Sequence, residues 1–284
     1  MRGFIRHYLL ALQFFSRVPV TGRLAEWVGF SPAMLRASAA HFPGVGWLVG
    51  AAVALLTSGL LALLPSNPFA PLVAAALGTA LSVVMTGAFH EDGLADVADG
   101  LGGSLNRDRA LEIMKDSRVG AFGAIAVMLA LLCKVALLAL LGSMGAAVMV
   151  GAVFAGHVVS RTWPLLTIRL LPHVGDAAQS KSKPLANQIA YSALLAAALW
   201  CFGALALMGC APIAIKTVAL PVAASAWWSA LAGGMAAAAL AWLWMLRWFA
   251  QRLQGFTGDC LGATQQVGEI AFYLGMACAL GAAV

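Results

Sequence analysis

Long apolar runs, broken by short polar stretches, set the pattern of this chain. Runs near 43–64, 69–89, 121–142, 145–166, 189–210, 225–246 and 261–283 read as helices. Two of them, "FAPLVAAALGTALSVVMTGAF" (69–89) and "AFGAIAVMLALLCKVALLALLG" (121–142), approach the ~20 residues that cross a bilayer core. The segment 211–224, "APIAIKTVALPVAA", is too short and too broken by proline to span, and reads as a re-entrant or interfacial piece. The opening "MRGFIRHYLLALQFFSRVPV" sets basic residues around a short apolar stretch interrupted by Gln13, with no small-residue cleavage site close behind. It predicts an amphipathic helix lying in the interface rather than a cleaved leader.

Composition agrees with that pattern. Of 284 residues, 62% are hydrophobic and 10% charged, well outside the range of soluble domains. The expected fold class is all-α: a polytopic integral membrane helical bundle of about six to seven transmembrane helices, with a carboxylate-bearing helical hairpin on the cytoplasmic side. It reads as one membrane-embedded domain over 1–284, with an interfacial segment at 1–42 and an acidic region at 90–120. With the N-terminus inside, segments 1–42, 90–120, 167–188 and 247–260 face inward and 65–68, 143–144 and 211–224 outward. Nearly all Lys and Arg then lie inside, Lys134 and Lys216 excepted, as the positive-inside rule requires. That puts the acidic region on the cytoplasmic face. The net charge of +6 suits lipid headgroups or a phosphate-bearing substrate, and no nucleic-acid partner is expected. The five cysteines are scattered without C-x-x-C spacing, so neither a disulfide framework nor a zinc site is indicated.

One window breaks the avoidance of charge. Seven of the eleven acidic residues lie in 89–123: Glu91, Asp92, Asp96, Asp99, Asp108, Glu112 and Asp116. Arg107, Arg109, Lys115 and Arg118 are interleaved. If 91–101 is helical and continues the second span, Asp92, Asp96 and Asp99 fall at i, i+4 and i+7 on one face. If 107–118 is helical, Asp108, Glu112 and Asp116 share another, and the glycine-rich "GLGGSLN" between them turns the chain. Like charges gathered beside a membrane repel one another unless a cation compensates. Mg²⁺ prefers oxygen ligands and bridges carboxylates to phosphates, so it is the expected cofactor. Arg109, Lys115 and Arg118 complete a diphosphate clamp. For Asp108 and Glu91 the simpler expectation holds, namely a solvated side chain paired locally.

Polar residues elsewhere add to the candidates. "TGDCLGA" (257–263) offers Thr257 or Asp259 as a helix N-cap and its glycines as a backbone phosphate cradle. Glu269 and Lys134 both sit inside apolar runs and are expected to pair. His157 reads as a packing residue, Arg161 as an anion-binding residue, and Arg17 as an interfacial anchor.

The motifs "FHEDGLADVADG" (89–100), "RALEIMKDSRVGAFG" (109–123) and "TGDCLGA" followed by Glu269, with the opening "FFSRVPV" and "FPGVGWLVG", resemble the cobalamin synthase family over nearly the whole chain. The resemblance implies a Mg²⁺-dependent enzyme of cobalamin biosynthesis in the prokaryotic inner membrane. It would join adenosylcobinamide-GDP to α-ribazole or its 5′-phosphate, with release of GMP. Asp92, Asp96, Asp99 and Asp116 would hold the metal. His90 and Glu112 would complete the catalytic set. Arg109, Lys115, Arg118, Arg161, Asp259 and Arg17 would bind substrate. Membrane lipid is an expected partner and a homo-oligomer is allowed. Three departures stand out. Glu91 replaces a usual apolar residue, Gln254 replaces the first of two glycines, and the 170–188 loop keeps little of the usual arginine–tyrosine pattern. The alternatives are a CDP-alcohol phosphotransferase, whose D-x-x-D spacing differs from the D-x-x-x-D here, and an ion-coupled transporter.

Overall fold

The computed structural model describes residues 2–175, 189–214 and 223–282. Helices α1 (Arg2–Phe15), α2 (Gly22–Val28) and α3 (Pro32–Ser38) open the chain, and one 3₁₀ turn leads into α4 (Phe42–Leu63). There follow α5 (Ala70–Thr86), α6 (Phe89–Gly103), α7 (Arg107–Ile113), α8 (Ala121–Met144), α9 (Ala146–Val159) and α10 (Trp163–Leu170). The last three are α11 (Tyr191–Ala214), α12 (Ala224–Arg252) and α13 (Gly258–Gly281). No strand occurs among the described residues. The loop departure at 170–188 lies largely outside them, as does most of 211–224, whose first four residues complete α11.

Five helical stretches are long and apolar enough to cross a bilayer: Pro32–Leu63, Ala121–Met144, Ala146–Leu170, Tyr191–Cys210 and Ala224–Arg252. A sixth is added if α5 and α6 count as one bent span. The protein is therefore a polytopic helical membrane protein. Its spanning helices turn apolar side chains outward, as Phe122, Ile125, Leu129 and Leu132 of α8 do at helical spacing. α13 is long enough to span but falls short in hydropathy, because it carries Gln265, Gln266 and Glu269. It has no need of an apolar jacket. α12, α6, α8, α9 and α10 pack around it, and its buried residues run along its whole length, from Cys260 to Leu280.

The acidic helix does not continue the second span. Gly87 (φ 66°) and Ala88 (φ 58°) both take left-handed backbone, and α6 leaves α5 at 89°. Two consecutive left-handed residues end a helix. The elbow is braced by Arg17, whose backbone N–H donates to Met85 O at 2.7 Å and whose side chain lies over Gly87. α6 thus runs across the end of the bundle at which α4, α8 and α13 begin. A second correction concerns α7, which stops at Ile113, so Asp116 lies beyond it and shares no helical face with Asp108 and Glu112.

Gln254 has φ 55°, in the corner between α12 and α13. A left-handed non-glycine residue carries strain of about 1 kcal/mol. Gln254→Gly is expected to raise the thermal midpoint of the detergent-solubilised protein, corresponding to about 1 kcal/mol of added stability. A lowered midpoint would mean that the glutamine side chain makes contacts worth more than the strain.

Candidate active site

α6 carries its aspartates on a gradient of burial, with Asp92 exposed, Asp96 half-buried and Asp99 buried. Asp99 is fully engaged. Its Oδ2 accepts from Gly120 N at 2.7 Å and its Oδ1 from Gly123 N at 2.8 Å. These amides belong to the first turn of α8, where no intrahelical acceptor exists, so Asp99 caps that helix from across the fold. A side chain at Gly123 would collide with the carboxylate.

Asp92 and Asp96 face a third carboxylate from another element. A Cβ on Gly93 would stand 2.7 Å from Asp259 O, so the bare backbone of α6 lies directly against the first turn of α13. The charges acting on Asp96 are those of Asp259, Asp92 and Asp99. Burial and these like charges push its carboxyl up to about 7. Burial also raises the carboxyl of Asp259, with Asp92 contributing, while the Thr257 hydroxyl donates to Asp259 Oδ2 at 3.1 Å. Thr257 is the α13 N-cap, accepting from Cys260 N at 3.4 Å, as its sequence position suggested. Among the described residues, no cation contributes to the shift of either carboxyl.

Three basic residues of the window, on α7 and in the turn after it, form local ion pairs. Arg109 Nη1 is 2.8 Å from Glu112 Oε2, and Arg118 Nη2 is 2.5 Å from Asp116 Oδ2. The guanidinium of Arg118 holds the Asp116 carboxyl down at about 2. Arg107 pairs with Asp108, which behaves as the solvated residue expected. Two ties from the α12–α13 corner hold this hairpin. Arg107 Nε donates to Leu253 O at 2.7 Å, and Arg252 Nη2 donates to Ser104 O at 2.6 Å. Nothing in the sequence pattern had singled out Arg252.

Below the aspartates lies a buried polar lattice. Glu91 departs from its expectation as a solvated, locally paired side chain. It is buried, and its Oε1 accepts from Gln266 Nε2 at 3.0 Å. Gln266 Nε2 also reaches Gln265 Oε1 at 3.0 Å, and Gln265 Nε2 donates to Glu269 Oε2 at 2.7 Å. Lys134 Nζ lies 2.7 Å from Glu269 Oε1, the pair anticipated from sequence, and Tyr273 OH donates to the same oxygen at 2.8 Å. Arg161, 1% exposed, donates from Nη1 to His157 O at 2.8 Å and sits within this lattice rather than at a surface. His90 is enclosed, with its ring stacked on Phe42 at 5.7 Å. Two cations and two carboxylates are thus buried together: Lys134 and Arg161 with Glu91 and Glu269.

The fit to a divalent cation follows from the donor set. As they stand, no three His, Cys, Asp or Glu side chains among the described residues close tightly enough to hold a metal ion. Mg²⁺ does not require such a cage, since it keeps waters and takes one or two carboxylates together with substrate phosphates. Asp92, Asp96 and Asp259 match that mode, with free carboxylate capacity and uncompensated charge. The oxygens of Asp99 are taken by amides and those of Asp116 by Arg118.

A family model described as cobalamin-5-phosphate synthase matches residues 7–277. An adenosylcobinamide-GDP ribazoletransferase of Albidiferax ferrireducens is 70% identical, covering 99% of this chain and 100% of that protein. One from Polaromonas naphthalenivorans is 60% identical over 99% and 100% of the two chains, and one from Vibrio cholerae 39% over 94% and 91%. No solved structure matches.

Removing one partner of a buried ion pair strands the other charge, at a cost of about 3–5 kcal/mol. Lys134→Met is expected to destabilise the protein by that order, whereas Lys134→Met with Glu269→Met should recover at least half of the loss. Thermal unfolding of the two variants in detergent checks this. A double variant no better than the single would show that the hydrogen bonds to Glu269, not its charge balance, carry the stability.

Proposed function

The chain belongs to the cobalamin-5-phosphate synthase family, and from that premise we propose that it joins adenosylcobinamide-GDP to α-ribazole at the edge between α6 and α13, using a divalent cation. The observation that carries the site assignment is the convergence of Asp92, Asp96 and Asp259, where Gly93 of α6 passes directly against Asp259 of α13, with no compensating cation acting on Asp96 among the described residues. Family membership sets aside the CDP-alcohol phosphotransferase and the ion-coupled transporter.

Asp92 and Asp96 from one helix and Asp259 from another would hold Mg²⁺. When bound, the ion would neutralise charge on the diphosphate of the donor. Asp99 acts one step back, fixing α6 against α8 so that its two neighbours keep their orientation. Arg109, Lys115 and Arg118, on α7 packed against α6 and in the turn after it, would take the phosphates of the leaving GMP. Exposed ion pairs such as Arg109–Glu112 and Arg118–Asp116 are screened by solvent and contribute little net stability, so a diphosphate displaces their carboxylates at little cost. Releasing Arg109 also frees Glu112, an exposed carboxylate better placed than the enclosed His90 to accept the proton of the attacking hydroxyl. The acceptor oxygen attacks the corrinoid-side phosphorus and the bond to GMP breaks, with catalysis mainly by positioning and electrostatics. Arg17 supports the elbow that aims α6, and Arg161 supports the lattice beneath it. The positive-inside distribution supports an inner-membrane protein whose active end faces the cytoplasm.

The test is turnover of purified full-length protein in liposomes. With adenosylcobinamide-GDP and α-ribazole, release of GMP should require Mg²⁺ and stop on addition of EDTA. Asp92→Asn and Asp96→Asn should each lower kcat/KM by roughly 100-fold or more at unchanged thermal midpoint, while Asp108→Asn stays near wild type. Full activity in EDTA, or in folded Asp92→Asn protein, would overturn the metal assignment.

A further inference from the structure

A groove of about 560 Å³ opens between the N-terminal helices α1 and α3 and the start of α11. It contains none of the residues assigned to the reaction. Its walls are small and apolar, with alanines from α3 and α11 such as Ala37 and Ala193, and the ring of Phe4 lies at one side. Among the described residues its polar groups are Arg36, His7, His41 and Ser192, and no carboxylate lines it.

The donors of this groove lack acceptors. Arg36 is exposed and has no ion-pair or hydrogen-bond partner among the described residues. The Trp200 indole donates to His41 Nδ1 at 3.2 Å, which leaves the ring proton of His41 on Nε2. That N–H belongs to a side chain only 4% exposed and is bonded to no acceptor among the described residues. A cation, a buried imidazole N–H and a hydroxyl, with no opposing acid, suit an anion with several acceptor oxygens.

What lies beside the groove indicates what carries that anion. On the flank of α11, Leu195, Leu199 and Phe202 follow one another at helical spacing, 63%, 63% and 71% exposed. They lie in a stretch apolar enough to cross a bilayer. On the opposite side, α1 exposes Phe4 and Ile5 and the α2–α3 region exposes Trp27 and Phe30, as interfacial elements do. The groove is therefore polar where an interfacial layer meets a spanning helix, and an apolar row runs along the flank of that helix beside it.

We propose that this groove binds one anionic phospholipid, with its phosphate on Arg36, His41 and Ser192 and its acyl chains along the outward face of α11. The same donors would accept a soluble phosphate ester, for which the apolar row would be immaterial, so the two sources can be separated.

Native mass spectrometry of the full-length protein in detergent is the test, because it reads binding without turnover. With added phosphatidylglycerol, one tightly held lipid per chain is expected, against weak or no retention of phosphatidylcholine. Arg36→Gln should weaken phosphatidylglycerol retention roughly tenfold, and Arg23→Gln, an exposed arginine of α2 outside the groove, should not. Ala193→Trp, which fills the groove without removing charge, should weaken it as well. Equal retention of the two lipids, or unchanged retention in both Arg36→Gln and Ala193→Trp, would overturn the proposal. Displacement of phosphatidylglycerol by sub-millimolar glycerol 3-phosphate would overturn it in favour of a soluble phosphate ester.

Discussion

The structure depends on a neutral cluster of charges held inside an apolar bundle. Lys134 and Arg161 face Glu91 and Glu269, and none of the four reaches solvent to any extent. Ions placed singly in such surroundings are strongly unfavourable, and pairs are tolerated only with good geometry and further hydrogen bonds. Gln265, Gln266 and Tyr273 supply those bonds. The cluster draws on α6, α8, α13 and the turn between α9 and α10 together, so it fixes the rotation of each helix relative to the others. Apolar packing alone specifies such rotations weakly in a membrane, where lipid tails resemble side chains.

The active end takes its precision from that interior. α6 is pinned at its start by Glu91 on Gln266, in its middle by the close passage of Gly93 over Asp259, and near its end by Asp99 on α8. Its remaining carboxylates, Asp92 and Asp96, project from a rigid rod. Arg109 of α7 and Arg118 in the turn after it are held, among the described residues, only by exposed pairs, and so are free to exchange partners. Rigid carboxylates beside mobile cations suit a reaction in which the donor must be held and a charged fragment must leave.

Much of this was legible in the sequence, and what was not has physical reasons. The apolar runs, the one-sided spacing of Asp92, Asp96 and Asp99, the pairing of Lys134 with Glu269 and the Thr257 cap all follow from local periodicity or from the cost of an unpaired ion. The elbow did not. Gly87 alone is tolerated in a helix, and nothing local marks Ala88 as left-handed. The task of Asp99 was hidden because its partners are the amides of Gly120 and Gly123, met only after the chain has turned twice. Glu91 read as solvated since its partner Gln266 lies 175 residues away. Asp116 fell off its expected face because the helix ends at Ile113, where "KDSRVG" offers turn formers instead of another apolar contact.

The bond between Glu91 and Gln266 bears on how this protein can be recombined with its relatives. A chain with an apolar residue at position 91 has no acceptor there for a buried amide, and Gln266 would be left with an unanswered donor in a dry interior. The acidic helix and the central helix therefore form a single exchangeable unit, although more than 150 residues separate them in the chain. A chimera cut between them would inherit half of a bond, whereas one that carried both across would transplant the active end with its foundation intact.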